Sequence, residues 1–259
     1  MAKTDSGKED RMHYTVDLHT HTIASGHAYN TIREMAKMAS EKGLTHLGIV
    51  EHAPGIPGTC DPMYFRNLKV VPRNLYGVEL LLGGELNIID HDGTLCLDEQ
   101  YWRYMDYRIA GMHSTCYETG TKEENMRAIL AAVRNPWVDI ICHPDDGRYM
   151  FDYEEIVLAA KESGTLLELN NNALSPRQHR KNSFENYVQM LTYCRQYGVP
   201  VLVSSDAHFD TEICDFRYAE KVLEETSFPE ELIVNAHLEF LWETFRKKKE
   251  QRAALGIEE

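Results

Sequence analysis

Nine residues able to bind divalent cations recur down the chain: His19, His21 and His27, then His52, Glu85, His113 and His143, and last Asp206 and His208. Two of their local patterns have a direct physical reading. In an extended backbone, residues i and i+2 point to one face, so His19 and His21 in Asp17-Leu-His19-Thr-His21 can hold a single ion, as can Asp206 and His208. Imidazole nitrogens with carboxylate oxygens suit zinc, manganese or iron, and a carboxylate such as Glu85 can bridge two ions. A lone strand-end histidine is more often a hydrogen-bonded structural residue. Here nine ligand types converge, too many for one tetrahedral ion, and a cluster of two or three ions fits better. His13, His46, His91 and His237 lie apart from these motifs and read as structural.

Such residues can meet only if the chain delivers them to one place, and its periodicity does this. Short apolar runs alternate with helical patterns, the mark of βα units around a mostly parallel sheet. Strands are predicted at Tyr14–His19, His46–Glu51, Val78–Glu85, Tyr107–Met112, Val138–Cys142, Thr165–Leu169 and Val199–Ser204. A small hairpin, Leu86–Asp90 with Thr94–Leu97, would turn at Asp92-Gly93. Helices are predicted at Thr31–Lys42, Thr121–Asn135, Tyr153–Ser163, Phe184–Tyr197 and Asp215–Glu225, with a long last one from Pro229 to about Glu250. Thr121 followed by Glu124 has capping-box spacing. About seven βα units make an α/β barrel, and six of the seven strands end at a ligand type. In barrels the C-terminal strand ends carry the chemistry.

Composition bounds the rest. The chain has 259 residues, 43% hydrophobic and 26% charged, with a formal charge of −14. That is enough for one full core. The acidic balance argues against a broad nucleic-acid surface and against charge-driven membrane docking. No apolar run approaches the roughly 20 residues of a membrane span. Residues 1–12 read as a polar, disordered leader, 13–249 as one domain and 250–259 as a frayed tail. The six cysteines are scattered without a C-x-x-C pair, which suits free thiols in a cytoplasmic protein.

The ordered motifs Asp17-Leu-His19-Thr-His21 with His27, Glu51-His52, Glu85, Gly111-Met-His113, Cys142-His143-Pro144 and Ser205-Asp206-Ala-His208 resemble the PHP (polymerase and histidinol phosphatase) superfamily. The likeness spans about Tyr14 to Trp242. It is greatest to the stand-alone YcdX-type phosphatases, which also show an Asn-Asn and an Arg-Lys at the places of Asn170-Asn171 and Arg180-Lys181. The resemblance implies a distorted TIM-like (β/α)7 barrel with three divalent ions. His19, His21, Glu85 and Asp206 would hold the first, Glu85 would bridge to a second on His113 and His143, and His27, His52 and His208 would hold the third. Catalytic weight would fall on Glu85, Asp206 and His208.

The expected chemistry follows. Water bridging two ions ionises near neutral pH and becomes a nucleophile, while the ions align the ester. No Gly-x-Ser-x-Gly, P-loop or dinucleotide fingerprint points elsewhere. The expectation is hydrolysis of phosphate monoesters of small soluble metabolites, with a phosphodiesterase or exonuclease acting on nucleotides or short oligonucleotides as the alternative. A non-catalytic metal-binding module is disfavoured by the complete ligand set. Amidohydrolases also carry H-x-H on a first strand, but there a bridging Lys would replace Glu85. Arg180 and Lys181 are candidate phosphate contacts. Asn171 and its neighbours are candidate substrate contacts, and His179 a candidate proton donor. The segment from Pro54 to Asn74 would cover the substrate.

Overall fold

A computed structural model describes residues 14–257; the leader assigned to residues 1–12 lies outside this range. Eight strands form one sheet: β1 (Val16–Asp17), β2 (His46–His52), β3 (Asn74–Leu75), β4 (Val78–Asn87), β5 (Tyr107–Gly111), β6 (Ile140–Ile141), β7 (Leu166–Asn170) and β8 (Val201–Ser204). Seven run parallel in the order β1-β2-β4-β5-β6-β7-β8, and β3 adds a short antiparallel edge on β4. The helices are α1 (Ile32–Glu41), α2 (Met63–Arg66), α3 (Lys122–Arg134), α4 (Tyr153–Ser163), α5 (Ser183–Tyr197), α6 (Ala219–Thr226) and α7 (Glu239–Ala254). The result is a nearly closed, distorted α/β barrel.

Local chemistry explains the element ends. Thr31 with Glu34, and Thr121 with Glu124, form complete capping boxes at the starts of α1 and α3. Left-handed glycines, Gly164 and Gly198, end α4 and α5. The hairpin after β4 is reduced to a bridge between Ile88 and Leu95 around a turn in which Asp90 Oδ1 accepts from the Asp92 and Thr94 amides. That side chain closes the turn where a ladder was expected.

The barrel closes by two devices. At the rim, Thr20 bridges Ala207, and the His21 amide donates to the Ala207 carbonyl at 2.9 Å. Deeper down, the Asn235 amide lies between β1 and β8: Nδ2 donates to the Val16 and Val203 carbonyls at 2.9 and 2.8 Å, and Oδ1 accepts from the Val203 amide at 2.8 Å. The side chain takes the place of a peptide unit. This seam breaks the long helix expected from Pro229. Glu230–Leu232 make one 3-10 turn, Ile233 pairs in parallel with Val201, and α7 begins only at Glu239.

Two apolar layers fill the molecule. One lies between strands and helices, and a smaller one inside the barrel holds Val16, Leu18, Val50, Tyr107, Ile109, Ile140 and Leu202. Gly48 is required there, because a Cβ would lie 2.2 Å from the Tyr107 hydroxyl. Leu241 of α7 packs into this layer at the end away from the rim, with Phe245 beside it. Farther along α7, Lys248 Nζ donates to the Asn135 carbonyl at 3.1 Å, and the Arg252 guanidinium sits 4.5 Å from the Trp137 ring centroid. These anchors lie along α7, whose helix runs to Ala254.

Candidate metal centre

The nine expected ligands lie together at the C-terminal ends of the parallel strands. His19 and His21 follow β1, His52 ends β2, Glu85 lies near the end of β4, and His113 and His143 follow β5 and β6. His143 and Asp206 adopt left-handed backbone, at φ 33° and 55°, directly beyond their strands. Non-glycine residues hold that conformation only when their surroundings enforce it.

Glu85 is at the centre and wholly buried. Its Oε2 lies 2.6 Å from His52 Nδ1, 3.6 Å from His21 Nε2 and 3.7 Å from His19 Nε2. Its Oε1 lies 2.7 Å from His143 Nε2 and 3.1 Å from His113 Nε2. Asp206 Oδ1 approaches His21 Nε2 at 3.1 Å and His19 Nε2 at 3.5 Å. His27 and His208 stack, with their Nε2 atoms 3.0 Å apart. His52 packs on His27 at 4.8 Å between centroids and on His21 at 4.3 Å.

These residues fit divalent cations. His52 Nδ1 and Glu85 Oε2 are both buried and close, yet neither makes an aligned hydrogen bond. Buried polar atoms are seldom left so. Converging lone pairs of this kind are completed by a cation. Ligand atoms gather closely in four sets: His19, His21 and Glu85; His21, His52 and His208; His52, Glu85 and His113; and Glu85, Cys142 and His143. The Cys142 thiol, 3.3 Å from Glu85 Oε1, joins the cluster although its apolar strand suggested only core packing. All six cysteines are free thiols.

The electrostatics match. Burial would raise the Glu85 carboxyl, but His52, His113 and His19 hold it well below the usual carboxylate range. Burial also opposes Asp206 ionisation, and His19, His21 and His208 outweigh it. Burial drives His113 down to about 4 against the pull of Glu85. Burial, helped by His52 and His208, takes His21 well below its ordinary value. Both imidazoles are therefore neutral at pH 7, with lone pairs free for a metal.

Two buried carboxylates outside the expected set hold ligands in place. Glu51, beside His52, accepts from Ser25 Oγ at 2.6 Å, from Thr22 and from Tyr64 at 3.2 Å, while Ser25 Oγ lies 3.1 Å from His21 Nδ1. Glu168 Oε1 lies 2.6 Å from His19 Nδ1, and its Oε2 accepts from the His143 amide at 2.6 Å. Glu168 was not singled out in the sequence. Its only mark is a lone charge in the apolar run Thr165–Leu169.

The centre opens into a cavity of about 680 Å³ lined by His27, His52, His113, His143, Arg177 and Arg180. A neighbouring cleft of about 570 Å³ adds Ile56, Pro57, Arg148 and His179. Arg180 Nη1 donates to Asp145 Oδ1 at 2.9 Å and to the His143 carbonyl at 3.2 Å. Burial works against its charge, and Asp145 more than restores it. Lys181 is exposed and touches this region through its main chain, its amide reaching Asp146 Oδ1 at 3.4 Å. Asn171 Oδ1 accepts from the Tyr218 and Ala219 amides at 2.8 and 3.2 Å, which fixes the start of α6. Its neighbours face the metal ligands instead: Asn170 and Asn172 reach Asp206 Oδ2 at 3.3 and 3.4 Å.

Comparison with known proteins agrees with this geometry. The PHP domain model matches residues 17–252. A probable phosphatase of Acetivibrio thermocellus is 42% identical over 240 residues, covering 93% of this chain and 98% of the relative. One from Clostridium novyi is 43% identical over 224 residues, covering 86% and 91%. The histidinol phosphate phosphatase of Lactococcus lactis, solved with zinc, L-histidinol and phosphate, superposes with a TM-score of 0.55 at 17% identity, covering 83% of this chain and 95% of that one. An archaeal ribonuclease P structure with mature tRNA has a TM-score of 0.56 at 16% identity, covering 90% and 91%, a likeness of fold. The chain belongs to the PHP domain family, and within it is a phosphatase.

Proposed function

We propose that the chain hydrolyses phosphate monoesters of small soluble metabolites at a trinuclear centre of zinc, manganese or iron. The observation that carries this reading is Glu85, whose two oxygens face separate histidine groups: His19, His21 and His52 on one side, His113 and His143 on the other. That is the arrangement a bridging carboxylate needs. His19, His21, Glu85 and Asp206 would hold one ion, Glu85, His113 and His143 a second, and His27, His52 and His208 a third. When bound, divalent ions supply Lewis acidity toward phosphoryl oxygens and lower the pKa of coordinated water.

The remaining work falls to the chain itself. Arg180 stays charged and faces the cavity, so it would orient a phosphoryl group through its free guanidinium edge. Arg177 lines the same cavity and Arg148 the neighbouring cleft, and both add positive potential. His179, on the wall of the neighbouring cleft, would protonate the departing alkoxide. Asn170 and Asn172 hold Asp206. Asn171 would act on the substrate only indirectly, by fixing its neighbours, and Lys181 as a peripheral charge. The substrate is a phosphorylated small molecule, and the working place expected from free thiols is the cytoplasm. Among the described residues no helix is long and apolar enough to cross a membrane.

The test is phosphate release from p-nitrophenyl phosphate and a panel of phosphorylated metabolites, with a diester for comparison. Activity on monoesters, abolished by chelation and restored by Mn or Zn, is expected. A protein that loads metal fully yet releases no phosphate from any monoester would overturn the reading, and a clear preference for the diester would favour a nuclease.

A further inference from the structure

We propose that Glu168 is a positioning residue for the metal centre: one buried carboxylate sets the tautomer of His19 and the backbone of His143. It projects from β7, the one parallel strand that supplies no ligand, and is wholly buried. Every contact it makes is a hydrogen bond to a donor. Oε1 faces His19 Nδ1 at 2.6 Å and also accepts from Ser204 Oγ. Oε2 accepts from the His143 amide at 2.6 Å and from Asn170 Nδ2 at 3.1 Å.

Each bond has a consequence at the centre. A carboxylate can only accept, so His19 must carry its proton on Nδ1, which leaves the Nε2 lone pair facing Glu85, His21 and Asp206. His143 has φ 33°, a conformation that needs an external anchor, and its amide is held by the same group. Ligands from opposite sides of the barrel, after β1 and after β6, thus share one support. Such partners of metal-binding histidines shift metal affinity by about 10–100-fold.

Glutamine has the shape of glutamate but cannot replace it. If its oxygen faces His19, its NH2 group meets the His143 amide and Asn170 Nδ2, both donors. If it is turned the other way, the NH2 meets His19 Nδ1 and drives the proton to Nε2, the atom the metal needs. Either orientation loses a contact.

This inference rests on the metal-centre reading, and its test is separate from phosphatase activity. Competition with a chromophoric chelator would measure Zn2+ affinity in the parent, Glu168→Gln and Glu168→Ala, with circular dichroism confirming the fold. A loss of about 10-fold or more is expected in both variants; affinity within twofold of the parent in a folded variant overturns the proposal. Long-range 15N–1H correlation on the zinc-loaded parent needs no variant. A proton on Nδ1 of His19 supports the assignment, and a proton on Nε2 overturns it whether or not phosphate is released.

Discussion

Arg180 is the residue whose role outside the metal ligands is most exposed to test. Its guanidinium is held by Asp145 and the His143 carbonyl, so its position is set before any phosphate arrives. Arg180→Ala should lower kcat/KM for a phosphomonoester by about 10–100-fold at unchanged metal content. Arg180→Lys should recover little, because an ammonium cannot hold both oxygens and offer a planar edge as well. Steady-state kinetics with metal analysis checks this, and a twofold effect would contradict it. The nine candidate ligands could be grouped from the sequence because eight lie at or just beyond strand ends, where register with the neighbours hardly matters, and His27 follows in the loop after β1. Glu168 was not legible there, nor was the hold that Asn171 has on the start of α6. Glu168 acts across β7 onto residues after β1 and β6, and Asn171 reaches forward to Tyr218 and Ala219, pairings that no local spacing encodes.

At the scale of elements, the seven parallel strands and five of the helices were legible from periodicity and caps, but the stretch after Pro229 was not. The run from Pro229 has helical composition throughout, and only the gap between β1 and β8 explains why Ile233 leaves the helix to bridge Val201 and residues 234–236 turn, setting Asn235 in the seam. Helix α7 then closes the far end of the barrel, and Lys248 is buried in the process, its amine lowered to about 8 by burial against the pull of Asp139. The folded state thus disfavours the protonated lysine. Between about pH 8 and 10.5 the unfolded chain binds more protons at this site, so the site's contribution to stability rises with pH and is most unfavourable below pH 8. A shift of about 2.5 units is worth about 3 kcal/mol. Lys248→Met should therefore stabilise the protein at pH 7 by up to that amount, less the lost bond to Asn135. The gap should narrow by pH 10. Urea unfolding of parent and variant at both pH values checks it, and a pH-independent difference would refute the assignment.

Across the whole molecule, a formal charge of −14 looks hostile to a phosphate ester, but its distribution matters more than its sum. The walls of the cavity and its neighbouring cleft carry Arg148, Arg177 and Arg180, and the floor carries imidazoles, at least two of them neutral. Three divalent ions would bring the formal charge to about −8 and concentrate six positive charges at that floor. The same ions bear on folding. Glu85 and Asp206 are buried within the barrel's rim, and removing a cation partner from buried carboxylates is costly. Ligands that bind only the folded state stabilise it by RT ln(1 + [L]/Kd), about 4 kcal/mol at a thousandfold excess over Kd. Chelation should therefore lower the urea midpoint of the parent with an unchanged slope, and added Zn or Mn should restore it. In Glu85→Gln, which has lost the bridging charge, chelation should move the midpoint far less. Equal responses in the two proteins would show that the ions are bound elsewhere.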